Sequence, residues 1–404
     1  MALVVQKYIG SALVGADRIK QVAERIVASY NAGNDVVVVA SAMAGETDRL
    51  IAQARTISLA PEGRDYDLLL ATGEQVTVGL LGICLTSMGY QARSYLGWQV
   101  PITTDAVPAR ASIKQIDPAG IRDDLRRGSI VIVAGFQGID SRGNVTTLGR
   151  GGADTSAVAL AEALGAEVCE LYTDVEGVFT ADPAVCRDAR KIAKISYDEM
   201  LELAGLGEKV IQIRALEYAK KYQVDIHIRS AFSDSTGTLV TKEDAYMEGV
   251  VVSGVVYDKS EAKIAVIGVP DKPGVAARIL TTLADADISV DMIVQNVSQT
   301  GLADLTFTVA KSDLHQAYGI TGEITRELGA QNLIADEHIS KISIVGLGMR
   351  NHAGVAARMF TALAFNNINI QMISTSEIKV AVAIDEKYTE LAVRVLHDTF
   401  GLAA

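Results

Sequence analysis

The chain has 404 residues, of which 49% are hydrophobic and 21% are charged, which is typical of a globular protein with two or three domains. A net charge of −12 and a pI of about 5.0 argue against nucleic acid or an anionic membrane as the main partner. The cysteines, Cys84, Cys169 and Cys186, are too few for a disulfide scaffold and lack metal-binding spacing. The N-terminal residues show no secretory pattern and no run reaches membrane-spanning length, so we expect a cytoplasmic protein.

The first strand, Ala2 to Val5, runs into Gln6-Lys7-Tyr8 and then into a helix from about Ala16 to Tyr30. Lys7 is thereby placed at the carboxyl end of a strand, where open α/β sheets bind their ligands. Taken alone, Lys7 is better explained as a solvated surface lysine.

The β-branched run Asp35 to Ala40 predicts a strand buried on both faces, followed by the small-residue loop 41–48. Residues 67–88 have a helical pattern that contains Glu74 in apolar surroundings. An unpaired carboxylate is unfavourable there, so Glu74 either has a structural partner or faces a ligand amine.

The segment 147–155 is the most informative stretch of the chain. It follows the apolar run 130–134, predicted to be a strand, and leads into an alanine-rich helix over 156–164. Its glycines and the helix N-terminus are suited to an anion such as phosphate, and Arg150 adds a full positive charge. Asp154 can cap the helix, or it can hold a catalytic lysine or a metal ion. An ordinary loop with an aspartate cap is the simpler alternative.

Further strands are expected over 167–172 and 225–229, with helices over 196–204 and 206–222 between them. This β and α alternation predicts a mostly parallel, doubly wound sheet with helices on both faces. The five histidines show no metal pattern, and neither a Walker loop nor a G-x-G-x-x-G after the first strand is present.

Beyond a Ser-, Thr-, Asp- and Gly-rich boundary at 232–247, the chain repeats itself with a spacing of 80 residues. Gly274-Val-Ala-Ala-Arg278 recurs as Gly354-Val-Ala-Ala-Arg358, and Met292-Ile293 recurs as Met372-Ile373. Each copy has the pattern of a small split β-α-β unit. A structural spacer or a dimerisation module would show the same repeat.

Together these stretches resemble the aspartate kinase family, an amino-acid kinase domain followed by two ACT domains. The resemblance covers essentially the whole chain and rests on motifs in the family's order: Val5-Gln6-Lys7-Tyr8, Ser41-Ala42-Met43 with Gly45 and Thr47, Thr72-Gly73-Glu74, Gly149-Arg150-Gly151-Gly152, Thr173-Asp174-Val175 through Asp182-Pro183, and Gln295-Asn296-Val297-Ser298. It implies a catalytic domain over 1–232, a linker over 233–249, and ferredoxin-like (βαββαβ) ACT domains over 250–335 and 336–404.

The resemblance also implies a reaction, the transfer of the γ-phosphoryl group of ATP, with Mg²⁺, to the β-carboxylate of L-aspartate in lysine, threonine and methionine biosynthesis. Lys7 and Asp154 would be catalytic. Lys7 would stabilise the phosphoryl group during transfer, and Asp154 would orient the Lys7 side chain. The substrate residues would be Ser41, Thr47, Glu74 and Arg150. The nucleotide residues would be Gly10, Ser11, Gly151, Gly152, Thr173, Asp174, Phe179, Asp182 and Lys209. We expect no protein metal site.

Ligand-facing positions depart from the family pattern at Ile9, Ala12, Ala153, Phe179 and Ala184. Two alternatives therefore stay open. One is a weakened or repurposed paralogue that binds a partner or phosphorylates another carboxylate. The other is a kinase for glutamate or acetylglutamate, which fits the first domain but not the paired repeats.

The ACT repeats imply feedback regulation by lysine or threonine, with Asp271, Gly274, Gln295 and Asn296 as first-copy binding candidates. The helix that starts near Gly274 would offer N–H groups to the effector carboxylate. The resemblance further implies a homodimer or larger assembly, and a possible ACT-only small subunit that begins at Met247.

Overall fold

The computed structural model describes residues 2–205, 210–297 and 301–403. The chain forms two compact units. The first contains residues up to Val178 together with Lys191–Asp244, and the second contains Phe179–Arg190 and the chain from Ala245.

Alternating strands and helices build the first unit. Its strands are β1 (Leu3–Tyr8), β2 (Asp35–Ala40), β3 (Ala92–Tyr95), β4 (Ile102–Thr104), β5 (Ile113–Ile116), β6 (Ile130–Ala134), β7 (Gln137–Ile139), β8 (Val145–Thr147), β9 (Val168–Thr173), β10 (Lys194–Ser196), β11 (Ile226–Ser230) and β12 (Thr238–Thr241). Its helices are α1 (Gly15–Asn31), α2 (Glu46–Ile57), α3 (Arg64–Ser87), α4 (Ala119–Arg126), α5 (Gly152–Leu164), α6 (Tyr197–Gly205) and α7 (Ile213–Tyr222).

Eight strands form the main sheet in the order β10-β12-β11-β9-β1-β2-β6-β3. All pairs are parallel except β11 with β12. The valines of β2 are completely buried, as expected for a central strand covered on both faces. The predicted doubly wound, mostly parallel sheet is confirmed.

A second sheet of the first unit, with the order β5-β4-β7-β8, was not predicted. It places the hairpin β7–β8 between β6 and α5, so the glycine turn follows β8 and not the buried strand directly. The helix expected from Leu206 begins at Ile213, because Val210–Gln212 are a turn and extended chain, and residues 206–209 lie outside the described part.

Helix α3 is long and apolar enough to cross a membrane by length and composition alone. Its apolar residues Leu70, Ala71, Leu81 and Leu85 are buried in the first unit, where the helix lies against the main sheet. One such helix is weak evidence for a membrane span, and one face of α3 packs in the first unit while Val76 and Ile83 on another face are exposed.

The second unit contains α8 (Ala245–Glu248), β13 (Gly254–Asp258), β14 (Glu261–Pro270), α9 (Val275–Asp285), β15 (Val290–Val297), β16 (Leu302–Ala310), α10 (Leu314–Leu328), β17 (Asn332–Asp336), β18 (Ile339–Val345), α11 (Val355–Phe365), β19 (Ile370–Thr375), β20 (Lys379–Asp385) and α12 (Thr389–Thr399). Two antiparallel four-stranded sheets result, β15-β16-β14-β17 and β13-β18-β20-β19. The predicted repeated βαββαβ architecture is confirmed.

Strand β13 precedes the first copy in sequence but completes the sheet of the second copy by pairing with β18. The first copy is therefore inserted into the second. The segment Phe179–Arg190 also packs there, with Ala181 and Cys186 in the apolar core of the second copy. By packing, β13 and Phe179–Arg190 belong with the second copy, whereas the contiguous limits 1–232, 233–249, 250–335 and 336–404 remain a prediction from the sequence.

Candidate active site

A cavity of about 410 Å³ in the first unit collects most of the residues predicted for substrate binding and catalysis. The predicted residues that line it are Lys7, Gly10, Ser41, Thr47, Glu74, Arg150, Gly151, Gly152 and Asp154. They come from the carboxyl ends of β1 and β2 and the segments that follow them, from the start of α2, from α3, and from the glycine turn and start of α5. This is the sheet edge at which open α/β proteins bind ligands.

Lys7 and Asp154 form an ion pair across one wall of the cavity. Lys7 Nζ lies 2.6 Å from Asp154 Oδ1, and each side chain is 11% exposed. Gly151 is the N-cap of α5, and Asp154 makes no capping hydrogen bond to this helix. The carboxylate therefore contacts the lysine and does not cap the helix.

Glu74 projects from α3 and is 4% exposed. Its Oε1 accepts a hydrogen bond from the Ala42 N–H at 3.1 Å, whereas its buried Oε2 has no partner among the described residues. Burial raises the pKa of Glu74 to about 8, because removing water penalises the carboxylate form. An ammonium group brought by a ligand would supply the missing partner.

The glycine turn places Arg150 at the cavity. Gly149 and Gly151 on either side have φ values of 80° and 72°, a left-handed conformation that glycine adopts without strain. The Arg150 side chain is exposed and has no ion pair or hydrogen bond within the described residues. Its guanidinium is thus available to a carboxylate or phosphate.

Asp67 holds the chain next to the glycine turn through hydrogen bonds and was not predicted from the sequence. It is 1% exposed and accepts hydrogen bonds from Thr147 N–H at 3.0 Å, Thr147 Oγ1 at 2.8 Å and Ala109 N–H at 2.9 Å. A signal was present, because Asp67 lies seven residues before Glu74 on the same face of α3. Tyr66, Phe136 and Thr147 also line the cavity without having been predicted.

A polar network on the other face of the sheet does not belong to this cavity. Glu170 accepts hydrogen bonds from Gln6 Nε2 at 2.8 Å, Tyr172 OH at 3.1 Å and Arg229 Nη1 at 2.9 Å. These residues line a separate groove of about 890 Å³. Gln6 and Lys7 face opposite ways because successive side chains alternate along a strand.

The predicted nucleotide residues are not all placed together. The hydroxyl Oγ of Ser11 is buried without a partner among the described residues, and Thr173 Oγ1 donates to Asp174 Oδ1 at 3.1 Å. Phe179 and Asp182 belong to the second unit, where Asp182 Oδ2 accepts a hydrogen bond from Tyr257 OH at 2.9 Å. Lys209 lies outside the described residues.

Only some of the positions that depart from the family pattern lie at the cavity. Ile9 and Ala153 line the cavity. Ala12 is 2% exposed and packs in the apolar core, so the expectation that it faces a ligand is wrong. Phe179 and Ala184 lie in the second unit, where the Ala184 N–H donates to Asp182 Oδ1 at 2.8 Å.

The effector candidates lie at one end of the first-copy sheet. Asp271 directly follows β14, and its N–H donates to the Gly301 carbonyl at 3.0 Å. Gly274, with φ of 95°, is the N-cap of α9. Gln295 and Asn296 are exposed on the edge strand β15, which lies beside β19 of the second copy.

Comparison with known proteins agrees with this architecture. Residues 2–230 match the model of the amino acid kinase family, and residues 263–329 and 342–400 each match a model of the ACT domain. The fold and cavity thus define an amino acid kinase with two ACT domains.

The curated relatives are similar over their whole length. An aspartate kinase of Stutzerimonas stutzeri is 52% identical over 405 residues, covering 100% of this chain and 98% of the relative. An aspartokinase of Mycobacterium tuberculosis is 46% identical over 408 residues, covering 100% of this chain and 97% of the relative. A solved aspartate kinase from Synechocystis is 41% identical with a TM-score of 0.56, over 99% of this chain and 70% of that one. The chain belongs to the aspartate kinase family, which makes it an enzyme of the phosphotransferase class, and the resemblance inferred from the sequence is confirmed.

The fold is also shared with more distant solved structures. E. coli aspartokinase III in complex with aspartate and ADP has a TM-score of 0.78 at 23% identity, covering 98% of this chain and 99% of that one. The same enzyme has also been solved in complex with lysine and aspartate, with a TM-score of 0.80 at 23% identity, over 98% of this chain and 99% of that one.

Proposed function

We propose that the cavity of the first unit is where the γ-phosphoryl group of Mg-ATP passes to the β-carboxylate of L-aspartate, giving 4-phospho-L-aspartate. The observation that carries this proposal is the Lys7–Asp154 ion pair at 2.6 Å in the wall of the cavity. A carboxylate is already nucleophilic at neutral pH, so no base is required. The protein aligns the two groups and neutralises charge as the phosphoryl group moves.

Each polar group of the cavity has a role in this reaction. Lys7 stabilises the moving phosphoryl group and Asp154 fixes the direction of its side chain. Arg150 binds the α-carboxylate of aspartate as a planar fork. Glu74 binds the α-ammonium through Oε2, which has no partner among the described residues. Ser41 and Thr47 line the pocket beside the substrate.

The nucleotide is assigned to Gly10, Ser11, Gly151 and Gly152 of the first unit, with Thr173 and Asp174 as further contacts. The N-terminus of α5 favours phosphate through the positive end of the helix dipole, while the Gly152 and Asp154 N–H groups donate to the carbonyls of Gly149 and Gly151. Among the described residues no three His, Cys, Asp or Glu side chains form a metal-holding group. Mg²⁺ would enter as Mg-ATP, held chiefly by the phosphates.

A weakened or repurposed site is the second candidate, because Ile9 and Ala153 line the cavity where the family pattern has glycine and serine. On this view the cavity is narrower and less polar than usual, and the rate with aspartate is low or another carboxylate is preferred. A kinase for glutamate or acetylglutamate is disfavoured by full-length similarity to aspartate kinases.

Regulation and assembly complete the proposal. Lysine or threonine would bind at Asp271, Gly274, Gln295 and Asn296, and the chain would form a homodimer or larger assembly. An ACT-only subunit from Met247 would keep a packed start, since Met247 is 3% exposed and clusters with Leu347 and Ile378. The three unpaired cysteines support a reducing, cytoplasmic location.

The proposed product is an acyl phosphate, which reacts with hydroxylamine to give a hydroxamate. The amount of hydroxamate therefore measures the kinase activity. The purified chain is incubated with Mg-ATP and L-aspartate, L-glutamate or N-acetyl-L-glutamate, and the hydroxamate is measured. We expect hydroxamate with aspartate alone. Hydroxamate with another acceptor only would support the repurposed site, and none with any acceptor would remove the proposal.

A further inference from the structure

The two ACT copies pack against each other through an interface that has approximate two-fold symmetry. Residues of the two copies are equivalent when they occupy the same place in corresponding strands. Lys263 and Lys341 are each third in their strands, β14 and β18, and Asp291 and Gln371 are each second in β15 and β19. Lys311 directly follows β16 and is therefore equivalent to Glu386, which directly follows β20.

Equivalent residues meet at this interface, which locates the pseudo-symmetry axis. Met292 and its equivalent Met372 share one apolar cluster with Ile339 and Ala383. Near the rim, Lys311 Nζ lies 3.1 Å from Glu386 Oε2, again a residue against its own equivalent. At such positions two identical copies would place like residues on each other.

The buried charges break this symmetry. Lys341 of the second copy is 3% exposed and forms ion pairs with Glu261 and Asp291 of the first. Its equivalent Lys263 instead donates to Gln371 of the second copy and lies 3.7 Å from Asp336 of its own sheet. The position equivalent to Glu261 is Ile339, since each is the first residue of its strand and lies two residues before the equivalent lysine.

The ion pairs of Lys341 suit an ionised state. Burial by itself lowers the pKa of Lys341, but the hydrogen bonds to Asp291 and Glu261 hold it above its usual value. Burial opposes ionisation of Asp291 as well, and the bond from Lys341 leaves its pKa below the usual value. Burial raises the pKa of Glu261 despite Lys341.

We propose that these charges select the partner of the second-copy face, which fits the first-copy face and rejects another second-copy face. Two first copies would place Lys263 opposite Glu261 and Asp291 of the other copy, so their buried charges would be paired, and only the rim contact of Lys311 with Lys311 would oppose them. Two second copies would place Glu386 against Glu386 and leave Lys341 buried opposite Gln371 and Ile339, with no carboxylate from the partner sheet. An unpaired buried charge is strongly unfavourable.

Because one chain carries both faces, the interface is closed within a chain or exchanged between two chains that each supply the other copy. It does not join two second-copy faces. Contacts between chains through two second copies must therefore use surfaces other than this one.

The test reproduces the like-charge contacts of identical copies inside the full chain. Glu386→Lys creates the Lys-on-Lys contact of two first copies, and Lys311→Glu creates the Glu-on-Glu contact of two second copies. We expect each to lower the thermal unfolding midpoint by about 2–4 °C. The double exchange should return the midpoint to within about 1 °C of the native chain. Glu323→Lys, an exposed change on α10, is the control for added positive charge.

A second series concerns Lys341. Glu261→Ile with Asp291→Gln gives the first copy the residues of the second, and we expect the midpoint to fall by about 8 °C or more. Adding Lys341→Met should recover at least half of this loss, even if the first variant folds poorly. The proposal would be overturned if the double exchange lowered the unfolding midpoint by as much as the two single reversals added together. A native midpoint for the Glu261→Ile/Asp291→Gln variant would also overturn it.

Discussion

Two buried lysines of this chain can be compared directly. Lys7 is 8% exposed and pairs with Asp154, and Lys341 is 3% exposed and pairs with Glu261 and Asp291. By burial and partner type the two sites are nearly alike. Their surroundings differ, because a cavity of about 410 Å³ adjoins Lys7, while Met292 and Met372 of two packed sheets lie in the interface that contains Lys341.

The comparison teaches that a buried lysine–carboxylate pair does not by itself indicate catalysis. At Lys7 the neighbouring groups are incomplete: Glu74 Oε2 and the Arg150 guanidinium have no partner among the described residues. Together with the free space, these groups indicate a ligand with an ammonium and a carboxylate. At Lys341 the pair holds two sheets together.

The largest effects should come from replacing each lysine by methionine. Lys7→Met should lower kcat by about 10²–10³-fold, because a cation at the developing charge is lost. Its free energy of unfolding should fall by only about 1–2 kcal/mol, since cavity water can solvate Asp154. Lys341→Met should show the reverse, a loss of about 3 kcal/mol in stability with kcat unchanged. Assays below both unfolding midpoints, with urea titrations, separate the two. Equal losses of kcat in Lys7→Met and Lys341→Met would show that the two lysines do not differ in their role in catalysis.

Replacing Arg150 tests whether this residue binds the α-carboxylate of aspartate. Arg150→Ala removes charge-assisted hydrogen bonds worth about 1.5–3 kcal/mol, so KM for aspartate should rise by about 10- to 100-fold. Arg142→Ala in the β7–β8 hairpin is the matched control, since this arginine does not line the cavity. The measurement is initial rate against aspartate at saturating ATP. A rise in KM for ATP alone would reassign Arg150 to the nucleotide.

Glu74 gives a pH signature. Its pKa is about 8 in the folded chain, above the value of 4.5 for a free glutamate, so its contribution to stability is present below pH 4.5 and is lost as pH rises through 8. Glu74→Gln should therefore become more stable relative to the native chain as pH rises, by about 2–4 kcal/mol at pH 9.

Substrate binding should follow the same titration. The α-ammonium requires the ionised carboxylate, so KM for aspartate should fall about 10-fold between pH 6.5 and pH 8.5 in the native chain and stay flat in Glu74→Gln. A native KM that does not change over this range would remove Glu74 from the substrate site.

The smallest effect concerns Ala153, which lines the cavity where the family pattern has serine. Ala153→Ser should raise kcat/KM by about 2- to 10-fold if the missing hydroxyl contacts phosphate. Ala12→Ser is the control and should only lower stability, because Ala12 is buried in the apolar core. Unchanged kinetics for Ala153→Ser would show that the pocket compensates by another route.

The sequence predicted the parts of the fold that depend on strong local periodicity. The valines of β2 and the alternation of strands and helices define the main sheet, and Lys7, Glu74 and Asp154 were found because charge in an apolar or glycine-rich context is unusual. The sheet β5-β4-β7-β8 was missed because its strands have only three or four residues of mixed polarity.

Other features depend on contacts that no local pattern contains. Strand β13 pairs with β18, more than 80 residues later, and Ala12 is buried although it stands in a motif that contacts ligands in the family. Asp67 could have been found, because the reasoning that singled out Glu74 applies to it equally. The Lys311–Glu386 contact could not, because it requires knowing which faces of the repeat meet.

The most direct test of the central claim is a crystal structure of the full chain with L-aspartate and ADP. The account predicts the aspartate in the cavity of the first unit, with its α-ammonium at Glu74 Oε2, its α-carboxylate at Arg150 and its β-carboxylate toward Lys7. Aspartate bound elsewhere, or a cavity that holds aspartate with the ammonium turned away from Glu74, would contradict it.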